Sequence, residues 1–515
     1  MRLKRYLLPA LLSLVLSSCY KDLSTEATII IPDIVITGVP STLDIIYGEQ
    51  ITIPAKAYMG EKSGSDFTYL WEIDVIANRM DRVVIGEEST LIYTVANSPS
   101  NYPYLLTLRV TDPETGLQAI SSCFMTVRSS LGEGLLVGYT LPDGQSSEFD
   151  IVASPAVTYG YEGAARVNRR LYSRANGGSP YPEKLTGILA TAETAGTGVY
   201  SIRRILVGST NHVFAIDPLT FEMGEKDGQL FTSTRVEKFG PSKMFNSSGY
   251  ASFMFIDGDS YAHLCNIDNL FAKMPTSMEN PLRCYAHNVG FAPPDQGLTC
   301  IFKDGEGIYF VRGYNLMGAG FSKLDTSGML DFPLEGSKCI QGGCLRGMRP
   351  AFLVKDRDGA YHIVAVVSGA SQDTAYSVLL EGDNMENYVA GAFCDNGDLF
   401  YYATAHEIYS TIISGNTSVV RKLSWKPDSA AERITGIQQY WQGWYGTCQM
   451  NATSYGFVLP THRNMLIITT YNDSTGEGKI YLRGFNASTG LFTFNGDYGT
   501  FSGFGEITAI APTLR

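Results

Sequence analysis

At 515 residues the chain is longer than one ordinary domain, so at least two folded units are expected. Hydrophobic residues make up 44% of the chain and charged residues only 17%, which excludes long disordered stretches. The formal net charge of −12 argues against nucleic acid as a partner, because an acidic surface repels phosphate backbones.

Residues 1–18 have the organisation of a lipoprotein signal peptide. Three basic residues lie among the first five, residues 6–16 form a short apolar run, and two serines precede Cys19. The apolar run is too short to cross a bilayer as a helix. We expect residues 1–18 to be removed and Cys19 to carry acyl chains, so that the lipid anchors the protein to a membrane.

Residues 19–30 are short and polar at first, as a tether between a lipid and a folded domain should be. Asp22 and Glu26 place acidic groups soon after the lipid site. This arrangement resembles the surface-export signal of Bacteroidetes lipoproteins. The resemblance implies a lipid-anchored, outer-membrane protein exposed at the cell surface.

Residues 31–128 show the pattern of a small antiparallel β-sandwich. Apolar side chains alternate with other residues along 67–73 and again along 104–110, which places them on one face of each strand. Trp71 is expected to be a core anchor between two sheets. The segment Tyr69-Leu-Trp71, followed by Leu106-Thr-Leu-Arg-Val-Thr-Asp112, resembles the strand signature of PKD domains. That resemblance implies an immunoglobulin-like fold.

Residues 131–515 are punctuated by tight turns with apolar strands on both sides, and the sequence suggests no long amphipathic helix there. The spacing of these turns, about 50 residues, is typical of β-propeller blades, each a four-stranded sheet. We predict seven blades, with six or eight as alternatives. The seven turn signals are Pro142–Gly144, Ser209–Asn211, Asp257–Asp259, Asp304–Gly307, Asp356–Gly359, Asp395–Gly397 and His462–Asn464.

Three predicted hairpins have the same order of segments: an apolar strand, a turn with Asp and Gly, and a strand with aromatic residues. They lie at residues 251–263, 298–310 and 350–362. A last strand at 505–510 is expected to join the first blade. Such pairing would close the ring and remove two exposed sheet edges.

The nine cysteines do not suggest a disulfide scaffold. Between Cys339 and Cys344 two glycines could form a turn that brings the sulfurs together. The alternative is that both are buried thiols acting as small hydrophobic groups. CxxC pairs and HExxH are absent and the six histidines are scattered, so neither a metal site nor a cofactor is predicted.

The most distinctive local cluster contains Tyr440, Trp441, Trp444 and Tyr445. Aromatic faces beside amide side chains suit stacking against sugar rings or gripping peptide side chains. The alternative is that these rings pack between blades. Both interpretations remain open from the sequence.

No residue qualifies as catalytic, because no G-x-S-x-G elbow is present and a pair of acids for glycoside hydrolysis cannot be chosen without geometry. The whole organisation resembles the PKD-like lipoproteins of Bacteroidetes, often encoded beside SusC/SusD-type outer-membrane uptake systems. The resemblance implies a non-catalytic accessory that binds glycan or peptide or docks on a TonB-dependent transporter and its partner lipoprotein. A hydrolase acting on glycan or peptide in the propeller pocket is the alternative.

Overall fold

The computed structural model describes residues 32–513 apart from several stretches, the longest being 129–133, 195–199, 232–238, 247–251, 257–261, 266–270, 275–283, 288–297, 313–321 and 443–457. The chain divides into two compact units, unit 1 (Met1–Ser130) and unit 2 (Leu131–Arg515). The described residues are almost entirely strand. The helices among them are α1 (Leu171–Ala175) and four short 3-10 turns, Gly64–Asp66, Asp227–Leu230, Arg346–Met348 and Met385–Asn387. No helix in the described ranges has the length and apolar character needed to cross a membrane.

Unit 1 contains strands β1 (Val35–Thr37), β2 (Thr42–Ile46), β3 (Gln50–Pro54), β4 (Lys56–Met59), β5 (Lys62–Ser63), β6 (Thr68–Asp74), β7 (Arg82–Gly86), β8 (Thr90–Thr94), β9 (Tyr104–Thr111) and β10 (Gln118–Arg128). One sheet has the order β2-β10-β9-β6-β7, and the other strands form the groups β1-β4-β5 and β3-β8. Strands β2 and β10 run parallel. Side chains from both sets of strands enter one core, so unit 1 is a β-sandwich.

The alternating apolar residues of unit 1 form this core, as predicted. Trp71 is completely buried, and its indole Nε1 donates to the Glu88 carbonyl oxygen at 2.9 Å. Leu106 and Leu108 on β9 are also fully buried, which two residues so close in sequence achieve by lying on the same face of one strand. Trp71 therefore has the expected role of core anchor.

Unit 2 is a β-propeller whose described residues form seven four-stranded sheets. We number these blades 1 to 7 along the chain and give their strands from the innermost outwards. Blade 1 consists of β38 (Glu506–Thr513), β11 (Gly134–Thr140), β12 (Ser147–Ala153) and β13 (Arg166–Asn168); blade 2 of β14 (Leu185–Thr194), β15 (Tyr200–Ser209), β16 (Val213–Ile216) and β17 (Met223–Lys226); blade 3 of β18 (Pro241–Asn246), β19 (Ser252–Ile256), β20 (Ala262–Cys265) and β21 (Phe271–Met274); blade 4 of β22 (Cys284–His287), β23 (Leu298–Lys303), β24 (Gly307–Arg312) and β25 (Ser322–Lys323); blade 5 of β26 (Lys338–Leu345), β27 (Arg349–Lys355), β28 (Tyr361–Val367) and β29 (Thr374–Leu379); blade 6 of β30 (Ala390–Cys394), β31 (Leu399–Ala403), β32 (Ile408–Ser414) and β33 (Thr417–Lys422); and blade 7 of β34 (Glu432–Gln439), β35 (Met465–Asn472), β36 (Glu477–Phe485) and β37 (Phe492–Phe504).

The ring closes through the last strand of the chain. Strand β38 pairs antiparallel with β11 from Gly134–Thr513 to Thr140–Glu506, so the first blade takes its innermost strand from the C-terminal region. The predicted seven-bladed propeller and its closure are both confirmed. Because of this pairing, the facing edges of β11 and β38 are hydrogen-bonded to each other and are not exposed.

Six of the seven predicted turns lie among the described residues, each in a different blade, whereas Asp257–Asp259 lies outside them. In blades 1, 2, 4 and 5 the signal joins the second and third strands of the sheet, whereas Asp395–Gly397 in blade 6 and His462–Asn464 in blade 7 lie between the first and second strands. The count was therefore correct while the phase of the last two blades was not. The second-to-third turn of blade 6 contains no glycine or proline to reveal it.

Candidate functional site

The innermost strands of five blades each contain one extra residue relative to the neighbouring strand. Such a β-bulge bends the strand and leaves the extra residue out of the ladder. The residues skipped by the pairing are Thr186, Ser242, Ile340, Thr435 and Thr508. The inner wall of the propeller is therefore irregular at a similar place in several blades.

A cavity of about 410 Å³ lies between the innermost strands of blades 5, 6, 7 and 1. Strands β26, β30, β34 and β38 each have a strand neighbour on one side only, so backbone amide and carbonyl groups on their other edge are not used by the ladder. Three of the bulged residues, Ile340, Thr435 and Thr508, line this cavity. The remaining lining residues are Gln341, Gly342, Tyr388, Val389, Ala390, Gly391, Gly436, Ile437, Gln438, Ile467, Thr469, Ile507, Ala509 and Ile510.

Hydrogen bonds fix several polar groups of the cavity wall. The Thr435 and Thr469 hydroxyl oxygens lie 2.9 Å apart, and the Thr508 hydroxyl donates to the Gly138 carbonyl oxygen at 3.4 Å. The side-chain Nε2 of Gln341 donates to the Gly391 carbonyl oxygen, and the side-chain Oε1 of Gln341 accepts from the Tyr388 hydroxyl. This last pair of bonds links β26 of blade 5 to blade 6 and holds the Tyr388 ring in place.

The neighbouring residues Gln438 and Gln439 on β34 differ in their hydrogen bonding. The Gln439 carboxamide donates to Arg463 and Asn396 and accepts from the Asp395 amide and the Trp441 indole, at distances of 2.8 to 3.3 Å. Among the residues that the structure describes, the Gln438 carboxamide takes part in no hydrogen bond, although it lines the cavity and is partly buried. Gln438 thus offers a donor and an acceptor to a molecule in the cavity.

The aromatic cluster predicted from the sequence does not form one binding surface. Tyr440 is 1% exposed and its hydroxyl donates to the Val157 carbonyl oxygen at 3.4 Å, so it packs in the core between blades 7 and 1. This corrects the suggestion that Tyr440 could stack against a ligand. Trp441 is partly exposed. Trp444 and Tyr445 lie outside the described residues.

Trp441 belongs to a tightly bonded group at the end of β34. Arg463 lies 5.6 Å from the centre of the Trp441 ring and makes an ion pair with the buried Asp395 carboxylate at 2.8 Å. Burial, together with the adjacent Arg463 charge, lowers the pKa of His462 to about 4. The neutral imidazole Nδ1 accepts from the Gln442 amide at 3.0 Å. The partly exposed Trp441 ring is therefore held by Arg463 and by the hydrogen bond from its indole nitrogen to the Gln439 carboxamide.

Cys339 and Cys344 lie on one strand, β26, and are not bonded to each other. The expected Gly-Gly turn does not form, because Gly342 and Gly343 continue the ladder with β27. An extended strand separates residues five apart by about 16 Å, far beyond the span of a disulfide. The suggested bridge is therefore wrong, and the two buried side chains pack in blade 5.

One cluster in blade 2 has the residue types of a hydrolase triad but not its geometry. The Ser209 hydroxyl donates to Glu183 at 2.7 Å and accepts from the His212 backbone amide at 3.1 Å. Both ring nitrogens of His212 face carboxylates instead, Asp227 at 2.7 Å and Glu183 at 3.3 Å. Since the imidazole does not meet the serine oxygen, this cluster fixes the turn between β15 and β16.

The inner-strand bulges have a sequence signal that the turn pattern did not reveal. An aliphatic residue, threonine, a small residue and isoleucine recur as Leu185-Thr-Gly-Ile188, Ile434-Thr-Gly-Ile437 and Ile507-Thr-Ala-Ile510. In each case the threonine is the bulged residue. Aligning these segments with the blade repeat would have located the inner wall.

Neither a protein-family model nor a curated protein matches this chain. Solved structures similar to it include a quinonprotein alcohol dehydrogenase-like protein from Bacteroides thetaiotaomicron, with 12% identity, coverage of 94% of this chain and 99% of that chain, and a TM-score of 0.43. Apo AztD from Citrobacter koseri has 10% identity, coverage of 86% and 98%, and a TM-score of 0.38. The fold assignment rests on the present chain itself, because its seven four-stranded sheets and their closure make unit 2 a β-propeller.

Proposed function

We propose that the protein is a non-catalytic, lipid-anchored accessory of a SusC/SusD-type uptake complex at the outer surface of a bacterial outer membrane. It captures a glycan or peptide nutrient for a TonB-dependent transporter. The observation that carries the binding role is the cavity of about 410 Å³ in the propeller, whose size lies in the range of small-molecule sites.

The anchoring part of the proposal is supported by the sequence before unit 1. A basic start, a short apolar run and two small residues match the organisation of a signal peptide, and Cys19 directly after them is the residue that would carry the lipid. Unit 1, with its PKD-like strand pattern, then acts as a spacer or docking module between the membrane and the propeller. In this role a rigid sandwich core around Trp71 is an advantage, because a spacer must keep its length.

Lipid attachment is tested by mass spectrometry of the native N-terminus. We expect the mature chain to begin at Cys19 with acyl chains, and a Cys19→Ser variant to lose them and leave the membrane fraction. An unmodified N-terminus on a freely secreted chain would overturn the anchored role.

The partner is tested by pull-down of the tagged lipoprotein from mildly solubilised membranes, with Cys19→Ser as the matched control. We expect a SusC-type transporter and its SusD-type lipoprotein to be recovered with the acylated form. Recovery of neither from membranes that contain both would contradict the accessory role. Turnover of glycans or peptides by the purified chain, abolished by one carboxylate substitution, would establish the hydrolase alternative instead.

A further inference from the structure

We propose that the cavity between blades 5, 6, 7 and 1 binds a neutral carbohydrate of one or two rings. This inference deepens the proposed function by choosing glycan over peptide and by naming the site. It rests on the binding role proposed above, but it does not depend on the transporter.

The cavity wall offers hydrogen-bonding groups of the backbone. Four innermost strands present an unladdered edge to the cavity, and the bulges at Thr435 and Thr508 add further backbone groups outside the ladder. Backbone edges offer donors and acceptors in alternation. A sugar carries hydroxyl groups that both donate and accept, so it can satisfy such a wall from several directions.

One carboxamide side chain of the wall has hydrogen-bonding capacity left for a ligand. The Gln438 carboxamide lines the cavity and makes no hydrogen bond to the described residues. The carboxamide of the neighbouring Gln439, in contrast, takes part in four hydrogen bonds. A carboxamide can bond two adjacent sugar hydroxyls, donating to one and accepting from the other. We therefore assign Gln438 as the principal polar contact.

The cavity wall also offers apolar surface for one face of a sugar ring. Tyr388 is the aromatic side chain among the described lining residues, and its hydroxyl is bound to Gln341 so that the ring is held partly buried at the wall. Aliphatic side chains such as Ile437 and Ile510 line other parts of the cavity. Aromatic and aliphatic faces pack against the C–H face of a pyranose while its hydroxyls reach polar groups.

The described wall of the cavity is uncharged. The described lining consists of hydroxyls, carboxamides, one phenol, aliphatic groups and backbone amides, all of them neutral near pH 7. A charged ligand entering this cavity would lose water without meeting a counter-charge. Neutral sugars are therefore favoured over uronic acids and amino sugars, and over short peptides with charged termini.

The test is calorimetric titration of the full mature chain with glucose, galactose, N-acetylglucosamine, maltose and cellobiose, and with glucuronic acid and glucosamine as charged counterparts. We expect at least one neutral sugar to bind and the charged sugars to bind at least about tenfold more weakly. Gln438→Trp should fill the cavity and abolish binding. The matched control Val419→Trp adds the same side chain at a position 48% exposed on the outermost strand β33, and it should leave affinity unchanged.

A second variant keeps the test decisive should Gln438→Trp fail to fold. Tyr388→Ala should weaken binding at least tenfold, whereas Tyr388→Phe should keep most of it because the ring remains. Binding of no neutral sugar, equal binding of glucuronic acid, or unchanged affinity in Gln438→Trp and Tyr388→Ala would each overturn the inference. If no sugar binds but the transporter is recovered in the pull-down, only this inference is refuted. If a neutral sugar binds but no transporter is recovered, only the accessory role is refuted.

Discussion

The interior of the blades and the wall of the cavity use polar groups in opposite ways. Inside blade 1 the fully buried Asp150 accepts from Arg169 at 2.6 Å, from the Arg170 amide at 2.8 Å and from the Tyr139 hydroxyl at 3.1 Å. Inside blade 7 Glu432, 1% exposed, forms a similar cluster. The cavity wall instead carries neutral groups, one of which, Gln438, has no bond to the described residues.

The difference shows how this propeller separates stability from recognition. A buried charge is tolerated only when several donors surround it, so charged clusters tie strands together and cannot easily release a partner. Arg169, for example, also donates to the Gly503 carbonyl oxygen and so joins blade 1 to the outermost strand of blade 7. Neutral groups with spare bonding capacity cost less to leave exposed to water, which suits a site that must bind and release.

The largest loss of stability is expected from a change at Asp150. Asp150→Ala should lower the free energy of unfolding by about 3–5 kcal/mol, because it leaves the Tyr139 hydroxyl and the Arg169 charge without their buried partner. Urea unfolding followed by circular dichroism measures this. Glu225→Ala, at an exposed position on β17, should change stability by less than about 0.5 kcal/mol. A loss below 1 kcal/mol for Asp150→Ala would show that the cluster does not tie the blades.

The contribution of Glu432 to stability should depend on pH. Burial opposes its ionisation, but hydrogen bonds from Lys479, Tyr481 and Thr470 outweigh burial and hold the pKa of Glu432 below its usual value. A lowered folded-state pKa adds stability above the unfolded pKa, near 4.3, and that stability is lost as pH falls through the lower folded value.

Glu432→Gln should therefore cost about 1.5–3 kcal/mol at pH 7 and progressively less below pH 4. Thermal unfolding of both proteins from pH 7 to pH 3 measures the difference. A stability gap that stays constant or widens on acidification would contradict the proposed role of the carboxylate.

A smaller effect is expected from one donor of the same cluster. Tyr481→Phe removes the hydroxyl that donates to Glu432 at 2.7 Å but keeps the fully buried ring. Two other donors remain, so we expect a loss of about 1–2 kcal/mol in urea unfolding. In the Glu432→Gln background the same change should cost less, because the bond to a neutral amide is weaker. Equal costs in both backgrounds would mean that the bond contributes little.

The smallest effect on stability is expected in the cavity. Gln438→Ala should change the free energy of unfolding by less than about 0.5 kcal/mol, since the carboxamide bonds to none of the described residues. The same variant should weaken sugar binding at least tenfold in calorimetry. A large loss of stability would show that Gln438 is structural and would remove the contrast between blade interior and cavity.

Much of the fold could be predicted because strand periodicity is local. The alternation around Trp71 identified the faces of β6 and β9, and Asp/Gly turns identified hairpins in blades 1, 4, 5 and 6. The phase of blades 6 and 7 was missed because their most visible turns, at Asp395–Gly397 and His462–Asn464, join a different pair of strands. Turn chemistry reports that a hairpin exists, but not which strands of the blade it joins.

The site was harder to predict, because residues that line the cavity come from four blades far apart in sequence. Tyr440 drew attention as part of an aromatic cluster, yet it is buried, and only the structure shows this. Gln438, two residues earlier, belonged to the same stretch, but only as one of the amide side chains beside the aromatic rings. Its role depends on the bulge at Thr435 and on facing strands from other blades, neither of which a local pattern reveals.

Closure by β38 has a consequence for how the chain acquires its structure. Gly134 and Thr513 share a hydrogen bond although they are 379 residues apart in sequence. Contacts of such high sequence separation require a large loss of chain entropy before they gain stability, and they are associated with slow folding. Until this contact forms, β11 and β38 remain open edges to which another copy can add, so ring closure is a step exposed to misassembly.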